Sequence, residues 1–188
     1  MTRLRLRGPR AHAHLAVLRA FGRLPRAVRL AVMRAITPGY LVGALCLVER
    51  DDGARLLVRS SYRRHWGLPG GLAQRREPIH RAAVRELREE LGIGIELLGE
   101  PAVNVDPGAR RVDVIYRARV AGPATDEAPR PTSPEVLEAR WFAPDAMPPL
   151  QPESAEALVA LARALGSRGR PPGRPAPGPG DEPEPPAP

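Results

Sequence analysis

From residue 12 to residue 36 apolar side chains recur every three or four positions (Leu15, Leu18, Phe21, Leu24, Val28, Ala31, Val32, Ala35, Ile36). That is the helical period. Pro25, after Gly22-Arg23-Leu24, marks the start of a second helix, because proline suits a first turn. Thr37-Pro38-Gly39 ends the pattern. Residues 40–49 form a near-continuous apolar run of β-formers, as a buried strand shows. Asp51-Asp52-Gly53 is a turn signal, and residues 55–59 read as the returning strand. Residues 94–105 and 111–120 read as two more strands joined through Asp106-Pro107-Gly108. In the second of these, Val112, Val114, Tyr116 and Ala118 alternate with Asp113, Arg117 and Arg119, with Ile115 interrupting. Residues 135–142 are again strand-like. Helical spacing returns from Pro78 to Leu91, closed by Gly92. It returns once more over residues 153–165, with Leu158, Leu161, Ala162 and Leu165 on one side and Gly166 as the cap. Residues 121–133 make a loop long enough for a lid or a disordered segment.

These elements predict an α+β domain, strands layered with helices, over residues 38–166, behind a helical extension at residues 1–37. Residues 1–10, arginine-rich and poor in apolar side chains, are expected to be disordered. The Pro/Gly-rich tail at 167–188 cannot build a core. A chain of 188 residues is enough for one domain plus such extensions.

The formal charge is +8, and every basic residue other than histidine is arginine. Arginine accompanied by so much Ala, Pro and Gly points to codon usage rather than to nucleic acid as a partner. The first acid is Glu49, so the extension carries Arg19, Arg23, Arg26, Arg29 and Arg34 with no carboxylate. Three readings fit it: a helical cap or homodimer element, a membrane-surface or acidic-partner helix, or a poorly ordered extension. Arg19 and Arg23 come too early for a secretory signal. No apolar run approaches 18 residues, so no membrane span is expected. The single Cys46 cannot form an internal disulfide. A cytoplasmic enzyme is the expectation.

The chemistry concentrates in residues 71–93. Wound at about 100° per residue, Glu90 falls about 40° from Glu86 and Glu89 about 60° on its other side. The three carboxylates share one arc, with Val84, Leu87 and Leu91 on an apolar side and Arg81, Arg85 and Arg88 on a third. Clustered carboxylates repel as water is excluded, and a hard divalent cation relieves that repulsion. By itself such a cluster also fits a solvated acidic face. Ahead of it, the glycine pair Gly70-Gly71 lets main chain approach a ligand. Arg63, Arg64 and Trp66, beside Tyr62 and His65, could grip phosphate or stack a base; Trp66 could equally pack beneath the loop.

The residues around the cluster change the balance between these two readings. Gly71, Glu77, Arg85, Glu86, Leu87, Glu89, Glu90, Gly92 and Ile93 fit G-x5-E-x7-R-E-U-x-E-E-x-G-U, U being aliphatic, without exception. This resembles the signature of the Nudix hydrolases, the MutT-type family. The resemblance implies a Nudix α/β/α sandwich with a mixed sheet. It implies hydrolysis of a nucleoside diphosphate linked to another moiety, with Mg²⁺ or Mn²⁺. It implies Glu86, Glu89 and Glu90 as metal ligands, joined by the Gly70 carbonyl. By the same resemblance Glu86 is a candidate base, Glu89 belongs with the catalytic groups and Arg85 orients a glutamate; Glu77, on the far side of the helix at its N-terminal end, reads as a brace for the loop and the helix dipole. The family often adds a carboxylate from later in the chain; Glu135 is the first candidate here and Glu138 the second. A Nudix-fold nucleotide-sensing or partner-binding module without significant turnover is the competing reading. Nothing in the residues selects one nucleotide.

Overall fold

A computed structural model describes residues 9–37, 39–122 and 128–168. Of the disorder expected at residues 1–10 and 167–188, residues 1–8 and 169–188 fall outside these, as does the middle of the loop at 121–133, while residues 9–10 and 167–168 are helical. The chain divides into two compact units at Tyr40/Leu41, three residues past the boundary read from the sequence.

The first unit is a pair of helices, α1 (Pro9–Arg23) and α2 (Arg26–Ile36). Pro25 holds the N-cap position of α2, and the Thr37 amide closes its end on the Met33 carbonyl.

Among the described residues the second unit has six strands and two helices. These are β1 (Leu41–Val48), β2 (Arg55–Ser60), β3 (Gly70–Leu72), α3 (Ile79–Leu91), β4 (Ile95–Asp106), β5 (Arg111–Val120), β6 (Val136–Phe142) and α4 (Pro152–Arg168). A four-stranded sheet runs β3-β1-β5-β4. Only β1 and β5 are parallel in it; β3 and β4 run antiparallel to their neighbours, so the sheet is mixed. The other sheet is the antiparallel pair β2-β6.

The unbroken apolar run of β1 follows from burial on both faces. Ala44, Cys46 and Val48 point into a cluster with Ala82, Ala83, Leu87 and Leu91 of α3. Leu45 and Leu47 point the other way, toward Ala157 and Leu161 of α4. The result is helix, sheet, helix, with α3 on one face and α4 on the other.

Four details depart from the sequence reading. After the Asp51-Asp52-Gly53 turn, β2 does not return onto β1. A single bridge, Glu49 to Arg55, links them before β2 pairs with β6 along its length. In β5, Ile115 does not interrupt an alternation: it and Asp113 are buried on the α4 side while Tyr116 and Ala118 are buried on the α3 side. Helix α4 keeps two of the four expected residues in the core, Leu161 buried and Leu158 packed on the same cluster, but it also turns Ser154 and Ala157 inward and leaves Ala162 and Leu165 exposed. It also passes through Gly166 to Arg168, since glycine weakens a helix by about 1 kcal/mol without having to end it.

Candidate active site

Helix α3 is built to hold charge on one flank. Pro78 caps its start, and Gly92, with φ of 66°, ends it in the left-handed conformation with its amide on the Arg88 carbonyl. Leu87 is fully buried against the sheet and Leu91 nearly so. Glu90 lies on the wheel between the acidic and apolar arcs, and it too is buried, at 9% exposure. Glu86 is half-buried and Glu89 open to solvent.

Arg85 is the hub of this flank. Its Nε and Nη2 donate to the two oxygens of Glu77 at 2.8 and 3.0 Å. Its Nη1 donates to Glu86 at 2.9 Å and to Glu89 at 2.8 Å. The Leu72 carbonyl takes a further bond at 3.2 Å. One planar guanidinium thus joins three carboxylates and the end of β3, a use of the fork that lysine could not reproduce. Glu77 also accepts the Gln74 amide at 2.9 Å. The Arg85 bonds first, and then that amide, pull its carboxyl down to about 2.

Glu90 has the opposite environment. Burial pushes its carboxyl up to about 7. The Gly70 amide, donating at 3.3 Å, opposes that shift, while the charges of Glu86, Glu135 and Glu89 add to it. Burial likewise raises the Glu86 carboxyl against the pull of Arg85. Beneath the helix, burial and then the Glu90 charge push the Cys46 thiol up to about 12; this cysteine is packing, not a nucleophile.

The glycine pair closes the site from the sheet side. Gly70 has φ of +139°, and a Cβ there would lie 2.1 Å from the Ala44 carbonyl oxygen. A Cβ on Gly71 would lie 2.5 Å from Cδ of Glu86. The carboxylate lies directly over bare main chain.

A cavity of about 560 Å³ joins these groups. Its lining includes Gly70, Gly71, Arg85, Glu86, Glu89, Glu90 and Glu135. Glu135 therefore falls in the same cavity as the helix carboxylates. Glu138 does not line it; it is bonded to Arg59 at 3.0 Å and paired with Arg140. Of the predicted substrate-contacting residues, Arg63 lines the cavity, its Nη1 3.0 Å from Glu153 Oε1. Arg64 is exposed outside the lining. Trp66 packs edge-on to Phe142, ring centroids 4.9 Å apart, in the cluster under α4.

Three features were not read from the sequence. Arg111 lines the cavity and is held there by Asp113, its Nε 2.8 and 2.9 Å from the two oxygens. Arg111 and Asp113 are two apart on a strand, so the period of two could have placed them on one face. Thr132 donates its amide to the Glu90 carbonyl at 2.8 Å and its hydroxyl to the Glu89 carbonyl at 2.9 Å. That ties the segment before Glu135 to the end of α3. Gln151 donates to the His65 carbonyl at 3.0 Å, fixing the loop that carries Arg63.

Among the described residues no three His, Cys, Asp or Glu side chains are already drawn around a common point where an ion could sit. Arg85 engages Glu86 and Glu89 in this arrangement. The donor set nevertheless suits a hard divalent cation. It consists of carboxylate oxygens, one of them on a buried glutamate whose ionisation the neighbouring negative charges oppose.

Comparison with known proteins points to one family. The family model described as NUDIX domain matches residues 39–162. A MutT-like protein of Streptomyces ambofaciens is 29% identical over 108 residues, 57% of this chain and 67% of that one. The crystal structure of a MutT NUDIX hydrolase from Burkholderia pseudomallei is similar at 32% identity and a TM-score of 0.54, covering 66% of this chain and 99% of the other. An ADP-ribose pyrophosphatase structure from Streptococcus suis is similar at 25% identity and a TM-score of 0.53, covering 66% and 91%.

Proposed function

This chain belongs to the Nudix hydrolase family, and from that premise we propose that it cleaves the diphosphate bond of a nucleoside diphosphate linked to another group. The observation that carries the reading is the single cavity containing Glu86, Glu89, Glu90, Glu135, the Gly70-Gly71 main chain and Arg63, Arg85 and Arg111. Acidic and basic groups meet where a polyanion and a cation could share a site.

In such a reaction the oxygen of water bonds to one phosphorus and the anhydride P–O bond breaks. Its electron pair leaves on the departing phosphate, and the proton of the water passes to a base. Glu86 is our candidate for that base. Its half-buried carboxyl is raised by desolvation, which brings it nearer the operating pH. Glu89 is the second candidate. Arg85 acts by holding both carboxylates in register with β3. Arg63 and Arg111 suit phosphate oxygens, which guanidinium groups bind with charge-assisted bonds.

Glu86, Glu89, Glu90, Glu135 and the Gly70 carbonyl are the groups that would hold a divalent cation, Mg²⁺ or Mn²⁺. Bound there, it would supply neutralisation of the phosphate oxygens and a more acidic water.

The test is a panel of nucleoside di- and triphosphates and diphosphate-linked nucleosides, ADP-ribose among them, with Mg²⁺, Mn²⁺ or EDTA. Released mononucleotide and phosphate are the readout. At least one compound should turn over with metal and stop with EDTA. Glu89→Gln and Glu90→Gln should each lower kcat at least about a hundred-fold, a barrier change of about 2.7 kcal/mol. Wild-type rates in both variants would remove the metal assignment. Tight binding without product across the panel would favour the nucleotide-sensing reading instead.

A further inference from the structure

The chemistry described above lies in the second unit. Helices α1 and α2, in the first unit, carry a large apolar surface. No residue of α2 is buried. Val28, Leu30, Met33 and Ile36 are 43, 44, 46 and 70% exposed, and Val17 and Leu18 of α1 are 65 and 51% exposed. On the wheel of α2, Val28, Val32 and Ile36 follow one another about 40° apart, flanked by Ala27, Ala31 and Ala35. Arg26, Arg29 and Arg34 occupy the other side, with Leu30 and Met33 between them. Helices of 15 and 11 residues are marginal in water without a surface to pack on.

The charge says which surface. Residues 1–48 contain no Asp or Glu, so the unit offers its own arginines no carboxylate. A second copy docking on this face would bring the same uncompensated arginines against it. A nucleic acid would satisfy the arginines but leave Val28, Val32 and Ile36 facing water. An anionic lipid surface matches both halves of the pattern. Apolar side chains enter the acyl boundary while guanidinium groups bond to phosphate headgroups. Among the described residues no helix is long and apolar enough to cross a membrane, so the helices would lie along the surface.

We propose that α1 and α2 form an interfacial anchor that docks on anionic lipid through Val28, Val32 and Ile36, with Arg26, Arg29 and Arg34 at the headgroups. Each arginine brought to such a surface strengthens binding about five-fold, and salt weakens that part.

The test is co-sedimentation of the full chain with phosphatidylcholine vesicles, with and without phosphatidylglycerol. Nucleotide hydrolysis by the same preparations checks that each variant is folded. The wild type should pellet with the phosphatidylglycerol vesicles and stay in solution with pure phosphatidylcholine. Val28→Ser/Ile36→Ser and Arg26→Gln/Arg29→Gln/Arg34→Gln should each lose at least about ten-fold in partitioning while keeping hydrolysis. Equal pelleting with both vesicle types overturns the proposal. So does unchanged pelleting of the Val28→Ser/Ile36→Ser variant, since charge alone would then suffice. Competition by duplex DNA that also survives that substitution would assign the face to nucleic acid. A concentration-dependent dimer that the same substitution dissociates, without vesicle binding by the wild type, would assign it to a second copy.

Discussion

Adjacent glycines in the cavity wall have different reasons to be glycine. At Gly70 a methyl group would meet the backbone of β1, which cannot move aside, and φ of +139° is strained for any other residue. At Gly71 it would meet only the end of the Glu86 side chain. Gly70→Ala should therefore cost several kcal/mol, on the order of 3 or more, in urea unfolding. Gly71→Ala should stay within about 1 kcal/mol of wild type while kcat falls, because Glu86 is displaced. A Gly70→Ala chain as stable as wild type, or a Gly71→Ala enzyme with unchanged kcat, would contradict this account. Glu77 supplies a pH test. Its folded carboxyl is pulled from the usual 4.5 to about 2, so the native state holds fewer protons there than the unfolded chain. The stabilisation is present above the unfolded value and is lost as pH falls from about 4.5 toward 2. Glu77→Gln should flatten that part of the acid-unfolding curve, and an identical curve would mean the Arg85 pair is broken in solution. The sequence made Glu86, Glu89 and Glu90 legible because a fixed spacing can be counted. It did not show that Glu90 alone would be buried. A helical wheel gives angles, and the depth of the sheet beneath decides which edge of an arc is covered.

Among the elements, α3 and the β4–β5 hairpin were readable because their signals are local: helical period, an αL glycine, a Pro-Gly turn. The partner of β2 was not. The turn after β1 fixes a reversal of the chain, whereas the pairing depends on β6, some eighty residues later (Val58 opposite Ala139). Part of the buried stripe of α4 was missed because Ser154 and Ala157 are small residues, which carry little weight in a hydrophobic count. The link from α3 to the start of β6 through Thr132 was also invisible, because threonine in a loop has no distinctive spacing. That link makes a prediction. Thr132→Val removes the hydroxyl bond to the Glu89 carbonyl but keeps the amide bond, so stability should drop only about 1 kcal/mol. If the segment positions Glu135, the variant should also weaken metal activation. A double-mutant cycle with Glu135→Gln would then show less than additive loss in kcat. Full additivity would leave Thr132 as a structural tie only.

At the scale of the molecule, net charge misleads about the site. The chain is +8 overall, yet the cavity gathers five glutamates, and the arginines facing them are largely engaged: Arg85 with Glu77, Glu86 and Glu89, Arg111 with Asp113, Arg63 with Glu153. A carboxylate buried among others opposes folding and favours a cation at the same time. Two measurements on one substitution separate these effects. Glu90→Gln preserves shape and can still accept the Gly70 amide, while removing one negative charge from beside Glu86, Glu89 and Glu135. In EDTA at neutral pH its Tm should equal or exceed that of the wild type. Added Mg²⁺ should raise the wild-type Tm, by mass action about 2.7 kcal/mol of stabilisation at a hundred times Kd, and raise the variant's far less. Leu87→Ala, on the same helix but fully buried in the core, should instead lose about 2–5 kcal/mol whether or not metal is present. If Glu90→Gln were destabilised equally with and without Mg²⁺, as Leu87→Ala should be, Glu90 would be part of the packing of α3 and the cation would be held elsewhere.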